Sequence, residues 1–251
     1  MAADPAARCR AEVPPYGSPR GVLITIEGLW GAGKTTTAAA LGERLNAAGF
    51  STRVLHYGPR HGVVERLSSM LEGAPLRRRD GLGGYAEPHH ATVDVLLRLS
   101  REAYHHRMHY RSALAEHDVV IVDHGVYSKL AYALTVLTEQ HPDQDPALLL
   151  AHVRAVTDPW FQHPDVALWL DMPWPLARER AVTRGHGGGN PGSVERLLFL
   201  PHFAHAYRTV TAAHPDRVRR IRVGVRSTAS VLAEIDELLS PVLHTQTGAL
   251  R

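Results

Sequence analysis

Residues 22–37 read VLITIEGLWGAGKTTT, an apolar run followed by a glycine-rich turn and the start of a helical pattern. The turn at 28–35, GLWGAGKT, matches the phosphate-binding pattern G-x-x-x-x-G-K-[ST]. We predict a strand over 22–27 and a helix over 34–48 that Gly49 ends. The pattern therefore falls between a strand and a helix, where a nucleotide-binding loop is required to lie.

Each residue type in this loop has a physical role in holding phosphate. Glycines let consecutive N–H groups turn toward phosphate oxygens, and the following helix presents its positive N-terminus to the same anion. Lys34 adds a positive charge at the β and γ phosphates of ATP, and Thr35 is placed to bind the Mg²⁺ that bridges them. The predicted ATP-binding residues are Gly28, Gly31, Ala32, Gly33, Lys34, Thr35 and Thr36.

Outside the loop, short apolar runs alternate with helical patterns, which is typical of βαβ units. Five parallel strands are predicted, over 22–27, 52–57, 119–122, 166–171 and 218–223. Helices are predicted over 34–48, 63–71, 91–116, 128–137, 146–157, from Pro175, and over 194–213 and 228–239. The sequence predicts an α/β class, a three-layer P-loop kinase fold with a five-stranded parallel sheet flanked by helices.

One domain over 21–240 is the simplest division of the chain. It follows an extension at 1–20 that we predict to be disordered and precedes a tail at 241–251. The stretch 185–192 contains five glycines and one proline, too many for a regular element. We predict a short flexible lid at about 184–194.

The composition is that of a folded globular chain, with 44% hydrophobic and 21% charged residues among 251. The single cysteine, Cys9, cannot form an internal disulfide, which favours a reducing compartment. The net charge is only +3, and no apolar run approaches the length of a membrane span. We expect a cytoplasmic protein that binds neither nucleic acid nor membranes.

Four segments resemble the thymidylate kinase family of nucleoside monophosphate kinases. They are ITIEGLWGAGKTTT at 24–37, IVDHGVYSKLAY at 121–132, PDVALWLDMP at 164–173, and the helix that carries Glu195, Phe199, Phe203 and Tyr207. A GTPase is disfavoured independently, because the guanine-specifying N-K-x-D pattern is absent.

The resemblance implies transfer of the γ-phosphoryl group of MgATP to a nucleoside monophosphate, with dTMP as the default acceptor, by a homodimer. Family members that lack an arginine in the phosphate loop supply one from the lid, which indicates Arg184 here as catalytic. Asp123 follows a buried strand, where its carboxylate, together with Thr35, is expected to hold magnesium. Lys34 completes the predicted catalytic set.

The acceptor side departs from the family pattern. Trp30 replaces an acidic residue, His124 an arginine and Ala133 a glutamine. The Arg-Glu-Pro segment that follows the second strand in the family is replaced by HYGPRHG at 56–62, and the expected aromatic residue near 96–101 is missing. The predicted acceptor-binding residues are Trp30, Arg60, Arg98, Arg101, Ser128 and Tyr132.

Two alternatives stay open at this point. A diverged kinase of the same fold could phosphorylate another nucleotide or a small biosynthetic intermediate, because Trp30, His124 and Ala133 depart from the pattern. A protein of a different class could bind ATP for regulation and transfer no phosphate efficiently.

Overall fold

The computed structural model describes residues 21–56, 77–78, 87–88, 91–183 and 191–249. The strands are β1 Val22–Gly28, β2 Thr52–His56, β3 Arg77–Arg78, β4 Glu87–Pro88, β5 Val119–Asp123, β6 Val166–Asp171 and β7 Val218–Arg222. The helices are α1 Lys34–Ala47, α2 Ala91–His105, α3 Arg111–Glu116, α4 Val126–Gln140, α5 Pro146–Thr157, α6 Trp174–Ala181, α7 Pro191–Ala212 and α8 Thr228–Ala249.

The five long strands form one parallel sheet in the order β2-β5-β1-β6-β7. Every residue of β1 is buried, because a central strand of a parallel sheet is covered on both faces. This sheet confirms the predicted α/β fold with five parallel strands. The two-residue strands β3 and β4 pair separately in antiparallel fashion.

Helices cover both faces of the sheet and give the predicted three layers. Residue Gly42 of α1 lies against Val54 and Ile121, and α1 also contacts α8. On the opposite face, α4 begins against Thr25 and packs on α2, α5 and α7. Alternate residues of the central strands β1 and β5 therefore supply the two hydrophobic layers.

Several boundaries differ from the sequence prediction. The predicted helix over 91–116 forms, but a π-helical turn at His106–Tyr110 divides it into α2 and α3. Helix α7 begins at Pro191, so residues 191–194 of the predicted lid are helical. Helix α8 extends to Ala249 instead of ending at Leu239. Leu239 and the buried Leu243, one turn apart, continue the same apolar face, and Pro241 removes only one backbone donor.

Several predictions lie outside the described residues: the disordered extension at 1–20, the helix over 63–71, the acceptor residue Arg60, and the part of the lid at 184–190 that includes Arg184. Among the helices that are described, none is both long and apolar enough to cross a lipid bilayer.

Candidate active site

The loop between β1 and α1 has a backbone that only glycine adopts easily. The φ angles are 139° at Gly28, 86° at Gly31 and 92° at Gly33, all in the region that disfavours side chains. A Cβ atom at Gly31 would also lie 2.2 Å from the carbonyl oxygen of Ala177 in α6. The loop therefore takes a fixed path at the N-terminus of α1, as phosphate binding by N–H groups requires.

Lys34 is buried at the start of α1, with 4% of its surface exposed. Its Nζ atom donates hydrogen bonds to the carbonyl oxygens of Gly28 at 2.9 Å and Leu29 at 2.8 Å. Burial lowers the pKa of Lys34 to about 8, although the nearby carboxylates of Asp123 and Glu27 favour the charged form. The ammonium group thus lies within the loop itself, beside the positive end of α1.

Thr35 and Asp123 meet at the carboxyl edge of the sheet. The Thr35 hydroxyl donates to Asp123 Oδ2 at 2.5 Å, and His56 Nδ1 lies 2.8 Å from the same oxygen. Asp123 is buried, and its other oxygen, Oδ1, has no hydrogen-bond partner among the described residues. A hydroxyl oxygen beside a carboxylate with an unused oxygen fits Mg²⁺, which prefers oxygen ligands.

His56 is absent from the site residues that the sequence predicts. It ends β2, and the register of the sheet sets it directly opposite Asp123. The sequence contains only a weak signal for it, a polar residue directly after an apolar strand. The pairing of β2 with β5 decides that this residue meets the candidate magnesium ligand.

A buried polar network supports the first glycine of the loop. Glu27 accepts hydrogen bonds from the backbone N–H groups of Ser128 at 2.8 Å and Tyr127 at 3.3 Å, and from the Ser128 hydroxyl. The Tyr207 hydroxyl lies 2.5 Å from Ser128 Oγ and 3.0 Å from the Gly28 carbonyl oxygen, and it accepts the Gly28 N–H at 3.1 Å. The Glu27 carboxylate therefore caps the N-terminus of α4.

The network includes two residues that the sequence analysis names, Ser128 and Tyr207. Ser128 is predicted to bind the acceptor, but its side chain is buried and its hydroxyl is used by Glu27 and Tyr207. In the sequence, Tyr207 stands out only as part of the family resemblance. Burial raises the pKa of Glu27 above its usual value, and the hydrogen bonds from Ser128 offset only part of this effect.

The predicted acceptor residues Trp30, Tyr132 and Arg98 lie around one aromatic group. The Trp30 ring is 5.8 Å from that of Phe199, and the Tyr132 ring is 5.4 Å from the same ring. The Arg98 guanidinium lies 4.9 Å from the centre of the Tyr132 ring and bonds to Asp94 at 2.9 Å. The structure thus brings these three residues together.

Arg101 belongs to a different cluster. Its guanidinium lies 3.3 Å from Glu102 Oε1, and only 3% of its side chain is exposed. Lys129 Nζ lies 3.2 Å from the same oxygen, and His105 Nδ1 lies 3.6 Å from Glu102 Oε2. Burial alone would raise the pKa of Glu102, but Lys129, His105 and Arg101 hold it well below its usual range.

A cavity of about 590 Å³ opens beside the Thr35 and Asp123 pair. It lies between β2, the end of β5 and the helices α2 and α3. Its lining includes Asp123, His124, Lys129, Glu102 and His105. The space is large enough for a nucleotide-sized ligand, and its lining joins the candidate magnesium ligand to the Glu102 cluster.

A protein-family model described as thymidylate kinase matches residues 26–224, which is most of the chain. This chain belongs to the thymidylate kinase family. It is 29% identical to the thymidylate kinase of Alkalilimnicola ehrlichii, over 91% of this chain and 97% of that protein. It is 30% identical to the probable thymidylate kinase of Natronomonas pharaonis, over 86% of this chain and 96% of that protein.

The fold agrees with the thymidylate kinase family as well. The solved structure of the Candida albicans thymidylate kinase superposes with a TM-score of 0.65 at 19% identity, covering 88% of this chain and 92% of that one. Membership of the family, which the four sequence segments predicted, is confirmed. The chain is a nucleotide kinase whose phosphate loop contains Lys34 and Thr35 at the positions that the motif requires.

Proposed function

We propose that the protein transfers the γ-phosphoryl group of ATP to dTMP, forming dTDP and ADP. The observation that carries this proposal is the pairing of Thr35 with Asp123 at 2.5 Å, beside the buried Lys34 of the phosphate loop. Membership of the thymidylate kinase family supports the choice of dTMP as the acceptor.

The chain's own groups bind and orient the triphosphate. Loop N–H groups and the N-terminus of α1 face its phosphates. When ATP binds, Lys34 exchanges its hydrogen bonds to the loop carbonyl oxygens for hydrogen bonds to phosphate oxygens. Thr35 and Asp123 would hold Mg²⁺, which when bound neutralises charge on the β and γ phosphates. The Glu27, Ser128 and Tyr207 network keeps Gly28 in place while these contacts form.

The transfer step needs little covalent chemistry from the protein. An oxygen of the acceptor's 5′-phosphate forms a bond to the γ phosphorus, while the bond from that phosphorus to the β–γ bridging oxygen breaks and leaves ADP. Positioning and charge neutralisation supply the acceleration. We propose that Arg184 closes over the reacting phosphate from the lid and that Arg60 binds the acceptor, as the sequence predicts.

The test is acceptor-dependent ADP formation by purified protein with MgATP and dTMP, dUMP, other nucleoside monophosphates or free nucleosides. Lys34→Ala and Asp123→Asn are each expected to lower kcat/KM by about 100- to 1000-fold, because each removes a group that stabilises transferring charge. Arg44→Gln is the matched control, since Arg44 is half-exposed and lies about 15 Å away along α1. Tight ATP binding without acceptor-dependent ADP formation would favour the regulatory alternative.

A second acceptor class is favoured by one observation, the binding of Arg101 to the buried Glu102. An arginine that is held by a buried carboxylate is less available to contact the thymine base of dTMP. A different nucleoside monophosphate is therefore the second candidate. The same panel decides between them, because dTMP would then be a poorer substrate than another monophosphate.

We further propose that the enzyme acts in the cytoplasm as a homodimer. The single cysteine favours a reducing compartment, and the family resemblance implies the dimer. Light scattering during size-exclusion chromatography measures the assembly, and a mass of one chain would contradict the dimer.

A further inference from the structure

A groove outside the candidate active site lies between α7 and β7, the strand at one edge of the sheet. It consists of two cavities of about 380 and 230 Å³ that share three lining residues, Trp169, Arg208 and Arg220. The smaller cavity also reaches Tyr207 and Leu29, the second residue of the phosphate loop. Together the two cavities are large enough for a nucleotide-sized ligand.

The register of the sheet places Arg220 over the floor of this groove. Arg220 on β7 is the partner of Trp169 on β6, and its guanidinium lies 5.3 Å from the centre of the Trp169 ring. Its Nε and Nη2 atoms donate to Asp171 Oδ2 at 2.7 and 2.5 Å. A guanidinium has five N–H groups, so three of them have no acceptor among the described residues. Arg220 is therefore held in a fixed orientation and still has donors for a ligand.

Arg208 lines the same groove from α7. Its guanidinium has neither a hydrogen bond nor an ion pair with any residue that the structure describes. The described lining of the two cavities contains these two arginines and one carboxylate, Asp171, which Arg220 already binds. The lining thus carries one positive charge that no carboxylate of the groove balances, which favours an anion.

The rest of the lining indicates the chemistry of the ligand. Most of the other lining residues are apolar: Leu29, Met172, Pro173, Ala204, Ala212 and Val218. The hydroxyl groups are already used, since Tyr207 bonds to Gly28 and Thr211 bonds to carbonyl oxygens of α7. Guanidinium groups pair with phosphate oxygens through two parallel hydrogen bonds. A phosphate group therefore fits the two arginines, and an organic group attached to it fits the apolar wall.

The groove adjoins the residue that supports the phosphate loop. The Trp169 ring is parallel to the Tyr207 ring, with 6.5 Å between centroids and 3° between planes. The Tyr207 hydroxyl in turn contacts the N–H and the carbonyl oxygen of Gly28. A ligand in the smaller cavity therefore lies against a side chain that holds the first residue of the loop.

We propose that this groove is a second phosphate-binding site, in which Arg208 and Arg220 bind a phosphate group of a small molecule. The phosphate belongs either to a nucleotide, whose organic part contacts the apolar wall, or to free pyrophosphate. The site does not depend on transfer to dTMP, because its residues are separate from Thr35, Asp123 and the described lining of the 590 Å³ cavity.

Calorimetric titration with inorganic pyrophosphate tests this proposal. The wild type is expected to bind one more pyrophosphate per chain than Arg208→Gln, whatever the number bound at the phosphate loop, because the variant weakens the groove about tenfold or more. The Arg208 side chain is exposed and bonds to no described residue, so its replacement should not disturb the fold. Calorimetry needs no turnover, so a protein that is inactive on dTMP contradicts the proposed function alone.

Arg219→Gln is the matched control. Arg219 precedes Arg220 on β7 and is also exposed, but its guanidinium bonds to the Pro215 carbonyl oxygen, and it is not among the described residues that line either cavity. This variant should bind as many pyrophosphates as the wild type, with affinities changed less than about twofold. Equal numbers of sites in the wild type and Arg208→Gln, or the same loss in Arg219→Gln, would overturn the proposal.

The same titration with ADP identifies the source of the phosphate. If the site takes a nucleotide, the Arg208-dependent affinity for ADP is about tenfold or more above that for pyrophosphate, because the organic part buries apolar surface. An equal or lower affinity for ADP assigns the site to free pyrophosphate. Binding of both ligands that does not depend on Arg208 overturns the inference.

Discussion

Tyr207 shows how a single hydroxyl links distant parts of the chain to the nucleotide loop. It lies on α7, 179 residues from Gly28, and contacts both the N–H and the carbonyl oxygen of that glycine. Gly28 cannot accept a side chain, because a Cβ atom would lie 2.7 Å from the Leu170 carbonyl oxygen. The first residue of the phosphate loop is therefore fixed by β6 on one side and by α7 on the other.

Replacing Tyr207 by phenylalanine removes the acceptor for the buried Gly28 N–H. We expect Tyr207→Phe to lower the free energy of unfolding by about 1–3 kcal/mol, the usual cost of an unsatisfied buried donor. We also expect KM for ATP to rise, because the loop loses its support. Urea unfolding and steady-state kinetics measure the two effects.

Thr211→Val is the control for this experiment. Thr211 is also buried on α7, but within the described part of the chain its hydroxyl bonds only to carbonyl oxygens of its own helix. Its removal should leave KM for ATP unchanged. A Tyr207→Phe enzyme with the ATP affinity and stability of the wild type would show that the hydroxyl does not support the loop.

At the scale of elements, the start of α4 is fitted to the end of β1. Glu27 of β1 accepts hydrogen bonds from two backbone N–H groups in the first turn of α4. Its carboxylate takes the place of an N-cap side chain, which the residue before the helix, a glycine, does not have. Gly125 directly precedes this helix, and a Cβ atom there would lie 2.3 Å from Glu27 Oε1 and 2.4 Å from Thr25 Cβ. The close approach of strand and helix therefore requires a glycine.

Gly125→Ala is expected to displace Glu27 and the start of α4. Overpacking at such a contact costs about 1–3 kcal/mol of stability. We expect kcat/KM to fall by up to about 100-fold as well, because Asp123 and Gly28 adjoin the displaced groups. Denaturant unfolding and the ADP-formation assay measure these effects.

Gly49→Ala is the control for Gly125→Ala, because Gly49 lies after the C-terminal end of a helix, where no close contact among the described residues requires a glycine. Gly49 follows α1 with a φ of 93°, but no atom of the residues that the structure describes lies within 4 Å of the position that a Cβ atom would take there. Its substitution should therefore cost about 1 kcal/mol of stability through backbone strain and leave turnover unchanged. Equal losses of turnover in the two variants would contradict a specific role for Gly125.

At the scale of the whole molecule, the π-helical turn at His106–Tyr110 packs against the segment that precedes β6. The His106 ring stacks on Phe161 with 4.8 Å between centroids and an interplanar angle of 6°. Its Nδ1 atom accepts the Gln162 N–H at 2.8 Å. Burial lowers the pKa of His106 to about 4, although the nearby Glu102 carboxylate favours the charged form.

This shift predicts that stability decreases in mild acid. The folded pKa of about 4 lies below the ordinary value of 6.5, so between these values the unfolded chain binds more protons than the folded one. The contribution of neutral His106 is fully present above pH 6.5 and is lost as the pH falls toward 4. By pH 5 the loss amounts to about 2 kcal/mol.

His106→Asn removes this titration and keeps a hydrogen-bond acceptor. The variant is less stable at every pH because it loses the stack on Phe161, so the informative quantity is the change in unfolding free energy between pH 7.5 and pH 5. We expect that change to be smaller than in the wild type by about 2 kcal/mol. Identical pH dependence in urea unfolding of the two proteins would show that His106 does not titrate in this range.

The amino-acid sequence by itself determined the five strands of the parallel sheet, most of the helices, the phosphate loop and the family. These features depend on local periodicity and on residue types at fixed spacing, and both are present in full within a short segment of sequence. The contacts of His56 with Asp123, of Tyr207 with Gly28 and of Lys129 with Glu102 needed the tertiary structure. Each joins residues from different elements, and their distance is set by strand register and helix packing. The sequence therefore determined the kind of chemistry, and the order of strands in the sheet decided which side chains carry it out together.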